Sequence, residues 1–471
     1  MNSQRFNLTH GGILDKLLQV SIPIIGTQLM LMGYNLVDMF LLGRVGSDAV
    51  AASGTAGMYM WLANGVMLIG RMGAEIGVAQ YKGRGDREKA LAYSRNSLLL
   101  ALLLGFLFMA ACVLFSGPLI GFLNIQEAHV AADAKLYLFI IGLGFPFLFI
   151  SSSVAGTFTG AGNSRVPFFV NGCGLLTNVV LDPLFIFTFG WGVTGAAIAT
   201  VIAQGVGFGL SLYWLFAKGD RPFARYELPR RPDMAVVKRI LRWSVPVSAE
   251  NMLFTFFSMI VARYIASYGA NAVTVYRVGV QAESLCWLIC LGFSSGLTAF
   301  IGQNFGAGRW TRIWSGFRIA LVTLLGWGAA MTVLFFTAGG FIVALFVPDD
   351  PHIIAMGRDY MWIMAFCQVF FCLESIAAGC FRGMGRTAPA SIASIICNGL
   401  RVVVVHFLTQ TDLGLNGVWV GMTATATLRG IWIFVWFLHY ARKRPTMDGQ
   451  PNSISARMES ARMYIDSDHG L

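Results

Sequence analysis

Two aspartates stand inside long apolar stretches of the sequence, where ionisable side chains are rare. Asp38 follows Tyr34 by four residues, and Asp182 follows Asn178 by the same spacing. Residues four apart share one face of a helix, so each aspartate has a hydrogen-bonding neighbour on its own helix. Acids in such apolar helices are costly and usually mark the path of an ion or a substrate.

These residue types support the exchange of a proton or the binding of a small cation. Two neighbouring carboxylates in a low dielectric do not both stay charged, so one is expected to hold a proton near neutral pH. Hydroxyl and amide oxygens nearby would suit Na⁺ equally well. The alternative is that all are satisfied polar packing residues. The candidates, called the coupling set below, are Tyr34, Asp38, Asn178, Asp182 and Thr200.

The composition places most of this chain in a membrane. Of its 471 residues, 56% are hydrophobic and only 12% are charged, and the mean hydropathy is +0.66. Soluble proteins carry roughly 25% charged residues, and half of that does not coat a particle of this size. A lipid-facing surface accepts the apolar side chains. The chain is therefore predicted to be an all-α polytopic membrane protein.

The coupling set must be positioned by membrane-spanning helices, each of which takes ~20 apolar residues. Twelve segments qualify, with approximate limits 17–43, 52–80, 93–122, 134–158, 166–188, 192–217, 240–266, 275–304, 314–346, 354–381, 388–410 and 415–441. The first six form a predicted N-lobe, 1–217, and the last six a C-lobe, 240–441. A basic linker, 218–239, joins them. The polar tail, 442–471, is expected to be disordered.

Basic residues alternate between the loops and indicate the orientation of the chain. Loops after the even-numbered spans carry clusters of Lys and Arg, such as those within 82–95 and 218–239. The opposite loops are poor in them, so the positive-inside rule places both termini in the cytoplasm. This explains the net charge of +11 without a nucleic-acid partner. The first apolar run is too long for a cleavable signal peptide and would itself direct insertion.

The two halves of the chain repeat one another. A shift of 223 residues (246 minus 23) places identical residues in pairs: Ser21 on Ser244, Pro23 on Pro246, Gln80 on Gln303, Tyr137 on Tyr360 and Gly160 on Gly383. After one deletion the shift becomes 222, which places Gly195 on Gly417. Because each half holds six spans, the halves are predicted to be parallel and related by an axis along the membrane normal.

The repeat also tests the coupling set, because a structural residue tends to recur in both halves. Asp38 is matched by Val261, and Asp182 by Val405. The remaining members are also replaced: Asn178 by Arg401, Tyr34 by Phe257, and Thr200 by Met422. At 1.5 Å per residue, the two aspartates lie ~9 and ~12 Å inside the outer ends of their spans. The set is therefore expected to cluster at one depth in the N-lobe alone.

Several motifs resemble those of the multidrug and toxic compound extrusion (MATE) transporters. They are AQYKGRG at 79–85, GQNFGAG at 302–308, GSDAVAA at 46–52 and GTFTGAGNSRVP at 156–167. The segments YNLVD at 34–38 and NVVLDP at 178–183 are most similar to the DinF-like branch of that family. The resemblance extends over about residues 12–441.

This resemblance implies a fold and a function. The fold would be two six-helix lobes around a V-shaped cavity, in a monomer of the bacterial inner membrane. The function would be secondary multidrug efflux, in which cationic or lipophilic drugs leave in exchange for inward protons, or sodium, without a cofactor. In the DinF-like branch, the positions that match the coupling set form the coupling site.

Further candidates lie outside the coupling set. Pro23 sits in mid-span, where it removes a helix hydrogen bond and permits bending, and the resemblance implies that this bend serves gating. Glu250 and Glu374 lie in the inner half of the C-lobe, and the NorM-like branch of the family uses acids on the corresponding spans. They are either a secondary site or part of an ion pair with Arg401.

The remaining ionisable side chains and the cysteines are predicted to have structural roles or are given none. Arg71 and Glu75, spaced i, i+4, are expected to neutralise each other. The eight cysteines fall in apolar stretches and are predicted to be free packing residues, without disulfides or a metal site. His406 is assigned no role.

Three other functions fit the sequence less well than transport driven by an ion gradient. A flippase for a lipid-linked substrate belongs to the same superfamily, but such proteins typically have more spans or a basic cavity. A membrane-embedded enzyme would need a nucleophile or metal constellation, which six scattered histidines do not provide. An ATP-driven pump would need a GxxxxGK motif, which the sequence lacks. The acidic coupling set favours export of cations.

Overall fold

A computed structural model describes residues 6–123, 127–217, 222–223, 226–227, 231–348 and 350–442, and every regular element among them is a helix. The first half contains α1 (Ile13–Val45), α2 (Ser47–Gly83), α3 (Arg87–Leu114), α4 (Ser116–Phe122), α5 (Ala128–Gly160), α6 (Arg165–Pro183), a π-helical turn (Leu184–Thr188) and α7 (Gly192–Phe216). The second half contains α8 (Met234–Ala266), α9 (Ala270–Gly306), α10 (Trp310–Phe346), α11 (Pro351–Gly383), α12 (Ala388–Leu408) and α13 (Leu415–Arg442). The predicted disordered tail lies outside the described residues beyond Arg442.

Twelve of these helices correspond to the twelve predicted spans. Within the described chain, eleven are long and apolar enough to cross a membrane. The remaining long helix, α2, carries Arg71 and Glu75 and packs against α3, α5, α8 and α9. The predicted third span is divided at Phe115 into α3 and the short α4. Pro118 lies in the first turn of α4, where its missing N–H is not needed.

The predicted linker extends too far at its C-terminal end. Helix α8 begins at Met234 and not near residue 240. Asp233 caps this helix, since its side chain accepts hydrogen bonds from the N–H groups of Ala235 and Val236. Such a cap satisfies donors that the first helical turn leaves free, so a helix can start within a polar segment. Other parts of the linker lie outside the described residues.

The helices repeat with the period read from the sequence. Helix α9 begins and ends 223 residues after α2 (270 minus 47 and 306 minus 83), and α11 stands in the same relation to α5 (351 minus 128 and 383 minus 160). Helices α1–α7 form the N-lobe and α8–α13 the C-lobe. The prediction of two parallel repeats is confirmed.

The two lobes interlock at the end of the molecule that carries the basic turns after α2 and α9, called the basic end below. Gln80 Nε2 donates a hydrogen bond to the Gly383 carbonyl at 2.9 Å. Its repeat mate, Gln303, donates to the Gly160 carbonyl at the same distance of 2.9 Å. Each glutamine thus binds the opposite lobe at the equivalent place, and the interlock follows the symmetry of the repeat.

Two glycines let the lobes approach this closely. A Cβ on Gly83 would lie 1.9 Å from the carbonyl oxygen of Gln303, and one on Gly306 would lie 1.9 Å from that of Gln80. No side chain fits in that space, so both positions require glycine for the lobes to meet.

The segment before α1 adds further contacts at the basic end. The backbone N–H of Leu8 donates to Gln303 Oε1 at 3.0 Å, and Arg309 Nη1 donates to the Thr9 carbonyl at 2.6 Å. Leu8 is fully buried. This segment therefore ties the start of the N-lobe to the C-lobe.

Away from the basic end the lobes separate. Gly73 on α2 packs closely against Ile240 of the C-lobe, but Gly54 and Gly57, further along toward the other end, have no neighbour within 4 Å. The side chain of Trp61 on the same stretch is 62% exposed. Contact at one end and open space at the other give the V-shaped arrangement that the resemblance implied.

Candidate coupling site

Helix α1 carries the first two members of the coupling set in the half that lies away from the basic end. Tyr34 and Asp38 are four residues apart and both are partly buried. The Tyr34 hydroxyl lies within hydrogen-bonding reach of Thr200 on α7, and it interacts electrostatically with Asp38 and Asp182. Thr200 itself donates to the Ala196 carbonyl within α7 at 2.9 Å. Helix α1 thus faces α6 and α7.

Helix α6 supplies the other two members near its end. Asn178 is buried and Asp182 is completely buried, and Asn178 lies beside the Asp182 carboxylate. Pro183 follows directly and cannot donate a helix hydrogen bond, and beyond it the chain widens into the π-helical turn Leu184–Thr188. Such turns leave helical backbone groups partly free and are frequent at functional sites. The structure therefore brings all five members of the coupling set together.

The most informative feature of this site is the Asp182 carboxylate. Neither of its oxygens has a hydrogen-bond partner among the described residues, and the side-chain nitrogen of Asn178 is also without one. Asp182 interacts electrostatically with Asp38 across the gap between α6 and α1. A buried carboxylate without partners is not stable as a bare charge, so it requires a proton or a bound cation.

Tyr137 on α5 belongs to the same site but was not predicted. It is buried and interacts electrostatically with both Asp38 and Asp182. The sequence comparison paired it with Tyr360 in the second half, so it was interpreted as part of the shared architecture. Its hydroxyl supplies a hydrogen-bond donor or acceptor next to the two acids.

The C-lobe holds a corresponding acid that was also missed. Tyr360 on α11 donates a hydrogen bond to the carboxylate of Glu283 on α9, and both side chains are buried. The two repeat-related tyrosines therefore each face an acid of their own lobe. The signal available in the sequence was Glu283 itself, an acid inside the apolar eighth span.

The secondary candidates are held in ion pairs, but not with the expected partner. Glu374 lies 2.7 Å from Arg429 on α13, which also donates to Asn398 at 2.9 Å. Glu250 lies 4.0 Å from Arg382. The prediction of an ion pair with Arg401 is wrong. Arg429 reaches Glu374 because α13 packs on α11 along much of its length, whereas α12 barely touches α11.

The pair on α2 forms as expected and has an additional contact. Arg71 Nε lies 3.9 Å from Glu75 Oε2. Glu75 is completely buried, and its Oε1 accepts a hydrogen bond of 2.8 Å from Ser295 on α9. This acid thus links the two lobes as well as neutralising its neighbour.

Pro23 lies where α1 passes closest to the C-lobe. Helix α1 continues through it without a break, and the hydroxyl of Thr27 donates to the Pro23 carbonyl at 3.0 Å. On either side of the proline, Ser21 and Ile25 press against glycines of α9, at which a Cβ would clash. Pro23 therefore lies at the junction of the lobes, on the same helix as Tyr34 and Asp38.

One group of side chains has the spacing of a metal site. The sulfurs of Cys286, Cys290 and Cys372 all lie within 4.8 Å of one another, and Cys290 Sγ is 3.4 Å from Cys372 Sγ. All three are buried in the apolar core of the C-lobe. All eight cysteines are free thiols. Buried thiols among apolar side chains behave as small hydrophobic groups, which matches the predicted packing role.

Two parallel helical repeats that interlock at one end and enclose buried acids define a membrane transporter. A family model described as MatE matches this chain twice, at residues 23–184 and 246–407. The second match begins and ends 223 residues after the first (246 minus 23 and 407 minus 184). The chain belongs to this family, whose members are transporters and not enzymes.

Relatives and solved structures cover nearly the whole chain. The probable multidrug resistance protein NorM of Thermotoga maritima is 28% identical over 435 residues, which are 90% of this chain and 92% of the relative. The FAD transporter of Shewanella oneidensis is 23% identical over 423 residues, covering 88% and 92%. A crystal structure of MATE in the bent conformation is 22% identical, with a TM-score of 0.87 over 94% of this chain and 98% of that one. This likeness shows the fold.

Proposed function

We propose that the protein is a secondary multidrug efflux antiporter, which exports cationic or lipophilic compounds in exchange for inward protons at the coupling set. The supporting observation is the buried Asp182, whose oxygens lack partners among the described residues, beside a second acid, Asp38. A proton and a cationic drug compete for the same negative charge. Because occupancy by one disfavours the other, such a site exchanges them.

The cycle follows from the charge of the two aspartates. With the acids ionised, the N-lobe attracts a cationic compound from the cytoplasm. Protons arriving from outside neutralise the acids, which removes this attraction and favours release. The oxygens of Tyr34, Asn178 and Thr200 would suit Na⁺ in place of the proton, so sodium is the alternative coupling ion.

Helix α1 would carry the effect of protonation to the lobe junction. Asp38 lies on one side of Pro23, and Ser21, which presses against α9, lies on the other. Pro23 lowers the energy of bending because it removes one helix hydrogen bond. A bend there would move the acid relative to the C-lobe, which is the gating role proposed for Pro23.

The remaining proposals concern the setting of the protein. The basic end faces the cytoplasm by the positive-inside rule, with both termini on that side. The protein would act as a monomer in the bacterial inner membrane, with small cationic or lipophilic molecules as substrates and an ion gradient as its energy source.

Transport by purified protein in liposomes tests the coupling set. A cationic fluorescent dye is followed under an imposed pH gradient for wild type, Asp38→Asn and Asp182→Asn. The matched control is Asp48→Asn, an exposed aspartate 2.9 Å from His129. We expect efflux to fall to background in both coupling variants and to persist in the control. Retention of gradient-driven efflux by both coupling variants would refute the proposal, and an imposed Na⁺ gradient without a pH gradient identifies the coupling ion.

A flippase for a lipid-linked substrate is the second candidate. Two buried arginines of the C-lobe, Arg401 and Arg429, favour it, because such side chains bind the phosphates of lipid headgroups. The same liposomes separate the two functions. A flippase would transfer a fluorescent lipid-linked phosphate between leaflets and would show no dye efflux under either gradient.

A further inference from the structure

Arg401 on α12 is a buried guanidinium with most of its donors unused. It is only 7% exposed. Its Nε donates to the Thr425 hydroxyl at 3.3 Å, and no described residue accepts a hydrogen bond from either of its terminal nitrogens. A guanidinium has five N–H donors and does not lose its charge in proteins. The side chain is therefore held by one hydrogen bond, and its two terminal nitrogens have no acceptor among the described residues.

Two acids interact with Arg401, but neither forms an ion pair with it. Arg429 interacts with it as a like charge, and Glu374 interacts with it as an opposite charge but is itself paired with Arg429 at 2.7 Å. Glu283 interacts with it electrostatically but forms no ion pair with it, and the Glu283 carboxylate already accepts a hydrogen bond from Tyr360. Among the described residues, Arg401 thus has no anion in direct contact. A buried charge without an ion-pair partner is unfavourable, and a bound anion would compensate it.

Arg401 lies toward the open end of the molecule. It lies in the half of α12 away from the basic end, about two turns before Leu408, where the helix ends. Tyr276, about two turns from the start of α9, is partly exposed and interacts electrostatically with the arginine. The open side of the V-shaped arrangement is at the same end of the molecule.

We propose that Arg401 is the recognition residue of an oxyanion subsite in the C-lobe, which takes a carboxylate or phosphate group of a transported compound. The planar guanidinium matches either group through two parallel hydrogen bonds. Arg401 occupies the repeat position of Asn178, so the two lobes carry different polar side chains at equivalent places. The inference rests on the proposed efflux function and extends it to compounds that carry a negative group.

A matched pair of dyes tests the subsite. Rhodamine 110 carries a free carboxylate, and rhodamine 123 is its methyl ester, so the two differ only at the group that Arg401 would bind. Binding to the purified full chain in detergent is measured by fluorescence anisotropy for wild type, Arg401→Gln and Arg401→Lys. The control is Arg358→Gln, an exposed arginine 3.8 Å from Asp359.

We expect Arg401→Gln to weaken rhodamine 110 binding about 10- to 100-fold and to leave rhodamine 123 unchanged. Arg401→Lys keeps the charge without the two-pronged geometry and should lie between these results. Arg358→Gln should match wild type with both dyes. Inorganic phosphate, added as a competitor of rhodamine 110, shows whether the subsite also takes phosphate.

Two outcomes would overturn the subsite. One is equal rhodamine 110 binding by wild type and Arg401→Gln. The other is equal loss of both dyes, which would mean a structural role. A thermal unfolding curve distinguishes a ligand-binding role of Arg401 from a structural one. Removal of a charge that has no ion-pair partner should not lower the Tm of the free protein, whereas loss of a structural residue should. Failure of wild type to transport rhodamine 123 in liposomes would count against the proposed efflux function and not against the subsite.

Discussion

Replacement of Gln303 by leucine should open the basic end more than replacement of Gln80. Gln303 makes two hydrogen bonds there, to the Gly160 carbonyl at 2.9 Å and from the Leu8 N–H at 3.0 Å. Gln80 makes one, to the Gly383 carbonyl at 2.9 Å. Because both glutamines are buried, leucine of similar size leaves backbone groups unsatisfied only while the lobes stay closed.

The size of the effect follows from these counts. Each unsatisfied buried group costs about 1–3 kcal/mol, and 1.4 kcal/mol is a tenfold change in an equilibrium. Gln80→Leu should therefore shift the ratio of open to closed basic ends by about 5- to 150-fold. Gln303→Leu should shift it by a larger factor, because two backbone groups lose their partner.

Spin labels on the basic end measure this ratio. Glu88 and Thr311 are exposed repeat mates (311 minus 88 is 223) on the first turns of α3 and α10. Labels introduced there through non-natural amino acids leave the eight cysteines unmodified. Pulsed electron paramagnetic resonance then gives the distribution of distances between the two labels. The control is Gln368→Leu, a buried glutamine whose amide donates to Met364 in its own helix at 2.9 Å.

We expect a longer-distance population that is absent or small in wild type and in the control, moderate in Gln80→Leu and largest in Gln303→Leu. Identical distributions in all four proteins would refute the interlock as the element that holds the basic end closed. A larger effect at Gln80 than at Gln303 would refute the assignment of unequal strength.

Three further substitutions test other contacts. Tyr137→Phe removes a hydroxyl beside the two aspartates, so pH-driven efflux in liposomes should fall about 10-fold while the Tm stays near that of wild type; an unchanged rate would exclude this tyrosine from the site. Gly306→Ala places a Cβ 1.9 Å from the Gln80 carbonyl, which should destabilise the closed form by about 1–3 kcal/mol and lengthen the spin-label distance. Glu374→Gln leaves Arg429 without the acid that lies at 2.7 Å, and should destabilise the protein by about 3 kcal/mol in thermal unfolding. The double variant with Arg429→Gln should recover much of that loss, and no recovery would contradict the ion-pair argument.

The fold was predictable because two periodicities in the sequence are long and regular. Apolar segments marked twelve helices, and the 223-residue shift related α2 to α9 closely enough to reproduce both helix bounds. Helix ends that depend on a single capping side chain were less predictable, as Asp233 shows at the start of α8. The spacing of Tyr34 and Asp38 correctly placed them on one face.

Contacts between helices were not predictable by the same means. A spacing of four residues shows which side chains share a face of one helix, but not which helix lies opposite. An ion pair of Glu374 with Arg401 was therefore one of two alternatives, whereas the packing of α13 on α11 brings Arg429 to this acid. The coupling set escaped this difficulty because its members were chosen as polar groups in apolar spans that the second half replaces, and not from the geometry of helix packing.

Residues that recur in both halves are of two kinds. The sequence alone does not separate them, but their contacts in the structure do. Gln80 and Gln303 recur because each binds the backbone of the opposite lobe, so their recurrence is structural. Tyr137 and Tyr360 recur as well, but each faces an acid of its own lobe. Those acids lie on helices that do not correspond in the repeat, so the two sites have only the tyrosine hydroxyl in common. A recurring side chain therefore belongs to the architecture when its partner is the other lobe, and it indicates a second polar pocket when its partner is an acid that the repeat does not match.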